Sequence, residues 1–136
     1  MTRQEMYDKL FVRFSKSTTK MGVVFIQTDA GLSTECIYRG NDNPTSRAKC
    51  AIGSCIPNSV YNPGMEGNSV ENLVKLFPEV AQYIPKDLDF ANEVQTAHDV
   101  SADAYKEDNA AARMSFLRKL NDIARHYNLT TQPLPH

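Results

Sequence analysis

Proline and glycine punctuate the middle of this chain closely. Pro57, Pro63, Gly64, Gly67, Pro78 and Pro85 all fall in one stretch. Each interrupts regular backbone, because proline lacks an amide donor and glycine enters conformations closed to other residues. Regular elements between residues 57 and 85 must therefore be short. The long ones have to lie on either side.

On the N-terminal side, Thr2 and Glu5 have capping-box spacing, with Thr2 as N-cap. Met6, Leu10 and Phe14 recur every fourth residue, and Tyr7 and Phe11 widen the stripe. This predicts a helix whose apolar face packs on the core, ended by the polar "SKSTTK". "MGVVFIQTD" and "STECIYRG" are β-branched and aromatic, and predict a hairpin turning near residues 29–32. Alternation puts Cys36 and Tyr38 on one face of its second strand, and Glu35, Ile37 and Arg39 on the other. "NDNPTSR" reads as a loop.

"KCAIGSCI" is short and apolar, and fits either a buried helical turn or a strand, stopped at Pro57. "NPGM" predicts a type II turn, with Pro63 second and Gly64 third at positive φ. Asn68 with Glu71 resembles another capping box, opening a helix with Val70, Leu73, Val74 and Phe77 inward. Pro78 opens a further helical turn and Pro85 stops it. "KDLDFANEVQTAHD" predicts a helix with Leu88, Ala91, Val94 and Ala97 on one side. Asp99 or Ser101 would cap the next segment, leaving His98 near a helix C-terminus. The last helix is expected over about residues 109–128. Its stripe of Met114, Phe116, Leu117, Leu120, Ile123, Ala124 and Tyr127 is wide enough for central burial. The expected fold class is α+β. It is a helix-dominated single domain over residues 1–129, with four to five helices and a small antiparallel β-hairpin. Residues 130–136 are expected to form a mobile tail.

Composition narrows the functional classes. A chain of 136 residues can bury one core without staples, and 41% hydrophobic with 23% charged residues argues against disorder. The net charge of −1 gives no field to draw in nucleic acid or an anionic membrane, so nucleic acid is disfavoured as a partner. Residues 51–107, however, hold nine acidic against three basic side chains, a surface that could face a basic partner. The longest apolar run, "MGVVFI", is far short of the roughly 20 residues that span a bilayer. Three cysteines cannot all pair internally. With no signal-peptide pattern at the start, they point to reduced thiols and a cytoplasmic location.

No motif carries a reaction outright. Cys50 and Cys55 are five residues apart, which on a helix separates the thiols by about 140° and on a strand puts them on opposite faces. A zinc module would have to recruit Cys36 and His98 to Cys50 and Cys55 through a loop geometry. A cysteine hydrolase would take Cys50 as nucleophile and His98 as base, but successive helical positions diverge by about 100°, which places Asp99 poorly to orient His98. Gly53, Gly64 and Gly67 match neither a dinucleotide nor a P-loop spacing. The best local patch for a small anionic ligand is Tyr38, Arg39, Arg47 and Lys49, three cations beside one aromatic.

The succession "CIYRG", "KCAIGSCIP", "VYNPGMEG" and "QTAHD", closed by "IARHYNL", resembles an uncharacterised family of small phage and bacterial proteins. Its members read C-x-YRG, KCA-[IV]-G-x-x-IP, Tyr, MEG, then Q-x-x-HD. The likeness covers about residues 35–129. It implies a phage or bacterial, and therefore cytoplasmic, setting, and it implies no activity or catalytic residue. Together these readings lead to the expectation of a small non-enzymatic binding protein without cofactor. It would be phage-encoded and would occupy or inhibit a host protein or a small signalling ligand. A Cys50–His98 hydrolase and a zinc-stabilised interaction module are the alternatives.

Overall fold

The computed structural model describes residues 1–29, 31–38 and 48–135; for residues 24–28 and 31–36 it describes the backbone. Five α-helices dominate the described residues: α1 (Arg3–Phe14), α2 (Ala51–Cys55), α3 (Val70–Leu76), α4 (Leu88–Ala104) and α5 (Asn109–His126). Four strands accompany them: β1 (Lys20–Met21), β2 (Val23–Thr28), β3 (Gly31–Cys36) and β4 (Ala48–Lys49). The protein is thus helix-dominated α+β with little sheet.

α1 starts as its spacing predicts. Thr2 accepts the Glu5 amide, and Glu5 reaches back to the Thr2 amide at 2.9 Å. Its stripe of Met6, Tyr7, Leu10, Phe11 and Phe14 is buried. The free carbonyls at its end are taken by side chains. Thr19 Oγ1 donates to Arg13 O at 2.5 Å, and Arg113 Nη1 donates to Phe14 O at 2.7 Å.

β2 and β3 pair antiparallel, from Val23 opposite Cys36 to Thr28 opposite Gly31. The β-structure goes beyond one hairpin. β1 and β4 form a separate parallel pair, Lys20 with Ala48 and Met21 with Lys49. The hairpin is the crossover between them, and a parallel pair requires one of about a dozen residues or more. Asn109, at the start of α5, lines the other edge of β1. Its amide accepts from Met21 N at 3.0 Å and donates to Thr19 O at 2.7 Å.

The Pro/Gly-rich middle departs from expectation in detail. Gly64 lies in a 3₁₀ turn, Pro63–Met65, and not at the positive-φ corner of a type II turn; the positive φ belongs to Gly67, at 80°. Asn62 caps this turn by accepting Gly64 N at 2.8 Å, which makes a 3₁₀ start more favourable than the open type II corner. The N-cap of α3 is Ser69, one residue later than expected, because the Asn68 amide is donating to the carbonyls of Gly64 and Met65. Pro78 does open a helical turn, a 3₁₀ segment over Pro78–Tyr83.

α4 does not stop at Asp99 or Ser101. It runs through both, because each side chain has a partner that leaves the backbone helical: Ser101 bonds Ser115 of α5, and Asp99 bonds Gln95. His98 therefore sits inside α4, fully buried, and not at a C-terminus. α5 ends in a Schellman motif, with Asn128 at φ 58° and Leu129 N bonded to Ala124 O at 2.8 Å.

Beyond Leu129 the chain returns across α1 and α5. The Gln4 amide both donates to and accepts from the Thr130 backbone, and Gln132 N donates to Tyr7 Oη at 2.7 Å. Tyr7 in turn donates to Asn121 at 2.6 Å in the core. The centre of the core is an edge-to-face cluster of Phe14, Phe116 and His98, with centroids 4.9–5.7 Å apart.

Candidate functional site

The motif residues converge on α2. Cys50 is its N-cap, with Sγ accepting the Gly53 amide at 3.4 Å, while Cys50 O accepts both Ser54 N and Ser54 Oγ. The Cys50 amide donates to Ile37 O, and the Ile37 amide donates to Gly22 O, so the base of the hairpin runs into α2 as one ladder. Two glycines permit this closeness. A Cβ at Gly22 would lie 1.9 Å from Cys50 N, and one at Gly53 would lie 2.1 Å from Tyr38 O. Gly53 is therefore a packing residue.

α4 straps this joint from the other side. His98 Nε2 accepts the Gly22 amide at 3.1 Å. A backbone N–H can only donate, so Nε2 carries the lone pair and Nδ1 the proton. Nδ1 is 2.8 Å from Asp99 Oδ1, which also accepts Gln95 Nε2 at 2.9 Å. Gln95 Oε1 accepts the Ile52 amide, one of the open donors in the first turn of α2. "QTAHD" is thus a hydrogen-bonded strap from Gly22 to Ile52. The expectation that Asp99 is badly placed for His98 is corrected here. The 100° step governs Cβ directions, whereas the imidazole edge reaches round to the neighbouring carboxylate.

In this arrangement neither ring nitrogen of His98 is open to Cys50 or to a metal. Cys50 and Cys55 are buried and in no disulfide. Burial pushes the Cys55 thiol up to about 12, far from a thiolate at neutral pH. Among the described residues no group of three His, Cys, Asp or Glu side chains is placed to hold a metal ion. The side chain of Cys36 lies outside those described.

Of the expected anion-ligand set, Tyr38 and Lys49 lie among the described residues. Tyr38 is 4% exposed, its hydroxyl donating to Asn68 O and its amide to Glu66 Oε1. Glu66 Oε2 accepts Tyr61 Oη at 2.6 Å, so the tyrosine of "YRG" and the glutamate of "MEG" form one contact. Tyr38 offers no ring face to a ligand. Lys49 is half-buried, with Nζ 3.5 Å from Asn58 Oδ1. Arg39 and Arg47 lie outside the described residues.

A groove of about 940 Å³ lies elsewhere, between α4 and α5. Asp89, Glu93 and Val100 line it from α4, and Lys119, Asp122 and His126 from α5. Ala97, Ile123 and Tyr127 form its floor. Burial and then the Glu93 carboxylate raise the Tyr127 hydroxyl, and Arg3 stacks on the Tyr127 ring at 5.0 Å. Sequence reasoning missed this groove, since it is built from residues flanking two core stripes. The available signal was Asp89, Glu93 and Val100 at near-helical spacing, with an apolar residue off the core face.

No protein-family model, curated protein or solved structure matches the chain.

Proposed function

We propose that this chain is a small non-enzymatic binding protein that acts by occupying or inhibiting a partner. The observation that carries the reading is the engagement of His98. Both its nitrogens are spent between Gly22 and Asp99, so the residue best suited to acid–base work serves the scaffold. The open α4–α5 groove supports a binding role for the outer surface. The family resemblance supports a phage or bacterial cytoplasm as the setting and a host protein as the partner. None of the described helices is long and apolar enough to cross a membrane. The immobilised protein should retain a stoichiometric partner from bacterial lysate at more than one salt concentration. Empty resin across several lysates would remove the reading.

A second reading, a thiol hydrolase using Cys50 and His98, draws on the 2.8 Å His98–Asp99 pair, the orienting half of such a site. It requires the Gly22 amide to leave Nε2. Alkylation of Cys50 in the folded protein, measured against pH, is its test; an inert thiol ends it.

A further inference from the structure

Resting on the binding-protein reading, we infer that the α4–α5 groove docks a basic amphipathic helix of a partner protein. Tyr105 to Asp108 join α4 to α5, so the two helices form an antiparallel hairpin with the groove between them. From Asp89 to Val100 the channel is about 17 Å long at helical rise, which accommodates roughly three turns of helix.

The floor needs an apolar partner. Val100 is 50% exposed, and Ile123 and Tyr127 are only half-buried. Ala97 between them leaves room for a close approach. The rim selects the partner's charge. Because the helices run antiparallel, Asp89 and Glu93 share one half of the groove with Asp122 and His126, while Val100 shares the other with Lys119. Asp89 has no ion-pair partner among the described residues, and the Asp122–Arg125 pair is exposed and readily exchanged. A docked helix places its apolar stripe on Val100, Ile123 and Tyr127 and its Lys/Arg turn over Asp89, Glu93 and Asp122. Its carbonyl end then meets Lys119, favourable for the helix dipole. The same rim repels nucleic acid, anionic lipid and small anions.

The test uses the full chain and a fluorescent Leu/Lys amphipathic peptide of about 18 residues, with a Leu/Glu counterpart, read by anisotropy. The Leu/Lys peptide should bind, more weakly as salt rises. Val100→Asp and Asp89→Lys should each weaken it by about tenfold, while Glu107→Lys, outside the groove, leaves it unchanged. Both groove positions are at the surface, and a thermal melt confirms that the variants fold. Equal binding by wild type and groove variants overturns the inference, as does equal binding of the Leu/Glu peptide. Self-association abolished by Val100→Asp also overturns it, since the groove would then hold a second copy. Lysate capture separates the two readings. If Val100→Asp retains the same stoichiometric partner as wild type, the groove assignment fails and the binding-protein reading stands. If wild type itself retains nothing, both fail.

Discussion

His98 Nε2 accepts the backbone amide of Gly22 at 3.1 Å, across 76 residues of sequence and with no exposure to solvent. That bond ties the middle of the longest acidic helix to the turn between β1 and β2. Both ring nitrogens of His98 are thereby engaged within the fold, Nε2 by Gly22 and Nδ1 by Asp99. A buried amide left without an acceptor costs about 1–3 kcal/mol. His98→Ala also opens a cavity between Phe14 and Phe116, and should lose about 3–5 kcal/mol in urea unfolding. Asp99→Ala leaves the Gly22 bond in place and should cost less than half as much.

Glycine substitutions should divide sharply by location. Gly53→Ala drives a Cβ into the Tyr38 backbone, and Gly22→Ala drives one into Cys50. Backbone cannot yield as a side chain can, so each should cost about 3 kcal/mol or more, at the upper end of overpacking. Gly67→Ala meets nothing within 4 Å but sits at φ 80°, and should cost only about 1 kcal/mol. Chemical denaturation of the three variants checks the order. Comparable values would show that the close approach at α2 is slack.

Cys55 supplies a pH dependence. Burial raises its thiol from 9.0 to about 12, so the folded protein holds the proton over a range in which the unfolded chain releases it. The contribution is fully present below pH 9 and is lost as pH rises towards about 12. Unfolding free energy should therefore fall through that window, with a shallower fall in Cys55→Ala. Iodoacetamide at pH 8.5 should leave Cys55 unmodified until denaturant is added, when an appreciable share of the exposed thiol is ionised.

The segment after Leu129 should be protected. Tyr7→Phe deletes the hydroxyl that accepts from Gln132 and donates to Asn121, leaving that buried amide short of a partner. Loss of about 1–3 kcal/mol is expected. Hydrogen exchange at Thr130 and Gln132 should be slow in wild type and faster in the variant. Rapid exchange in both would place these residues outside the cooperative unit.

Local signals carried the long elements, and long-range contacts decided the rest. Thr2, Glu5 and the Met6–Leu10–Phe14 stripe are local, and α1 follows from them. The choice of Ser69 over Asn68 as N-cap was not local, because it depends on Asn68 folding back onto Gly64 and Met65. Asp99 and Ser101 looked like caps since nothing near them reveals Gln95 or Ser115 as partners. β1 and β4 are two residues each, too short for any periodicity. The motifs were visible as short strings, but their meaning as contacts appeared only when Gln95 met Ile52 and Glu66 met Tyr38. The groove was least legible, because no single helix contains it.

The pairing of Gln4 with Thr130 also has a mechanical meaning. One side-chain amide grips both backbone groups of a residue 126 positions away, as a neighbouring strand would. The first helix and the segment at Thr130 are stitched together. Tension applied at the two ends would load that stitch before it reached the aromatic centre. The protein would then yield from its seam inward, with the Gly22–His98 strap among the last connections to part.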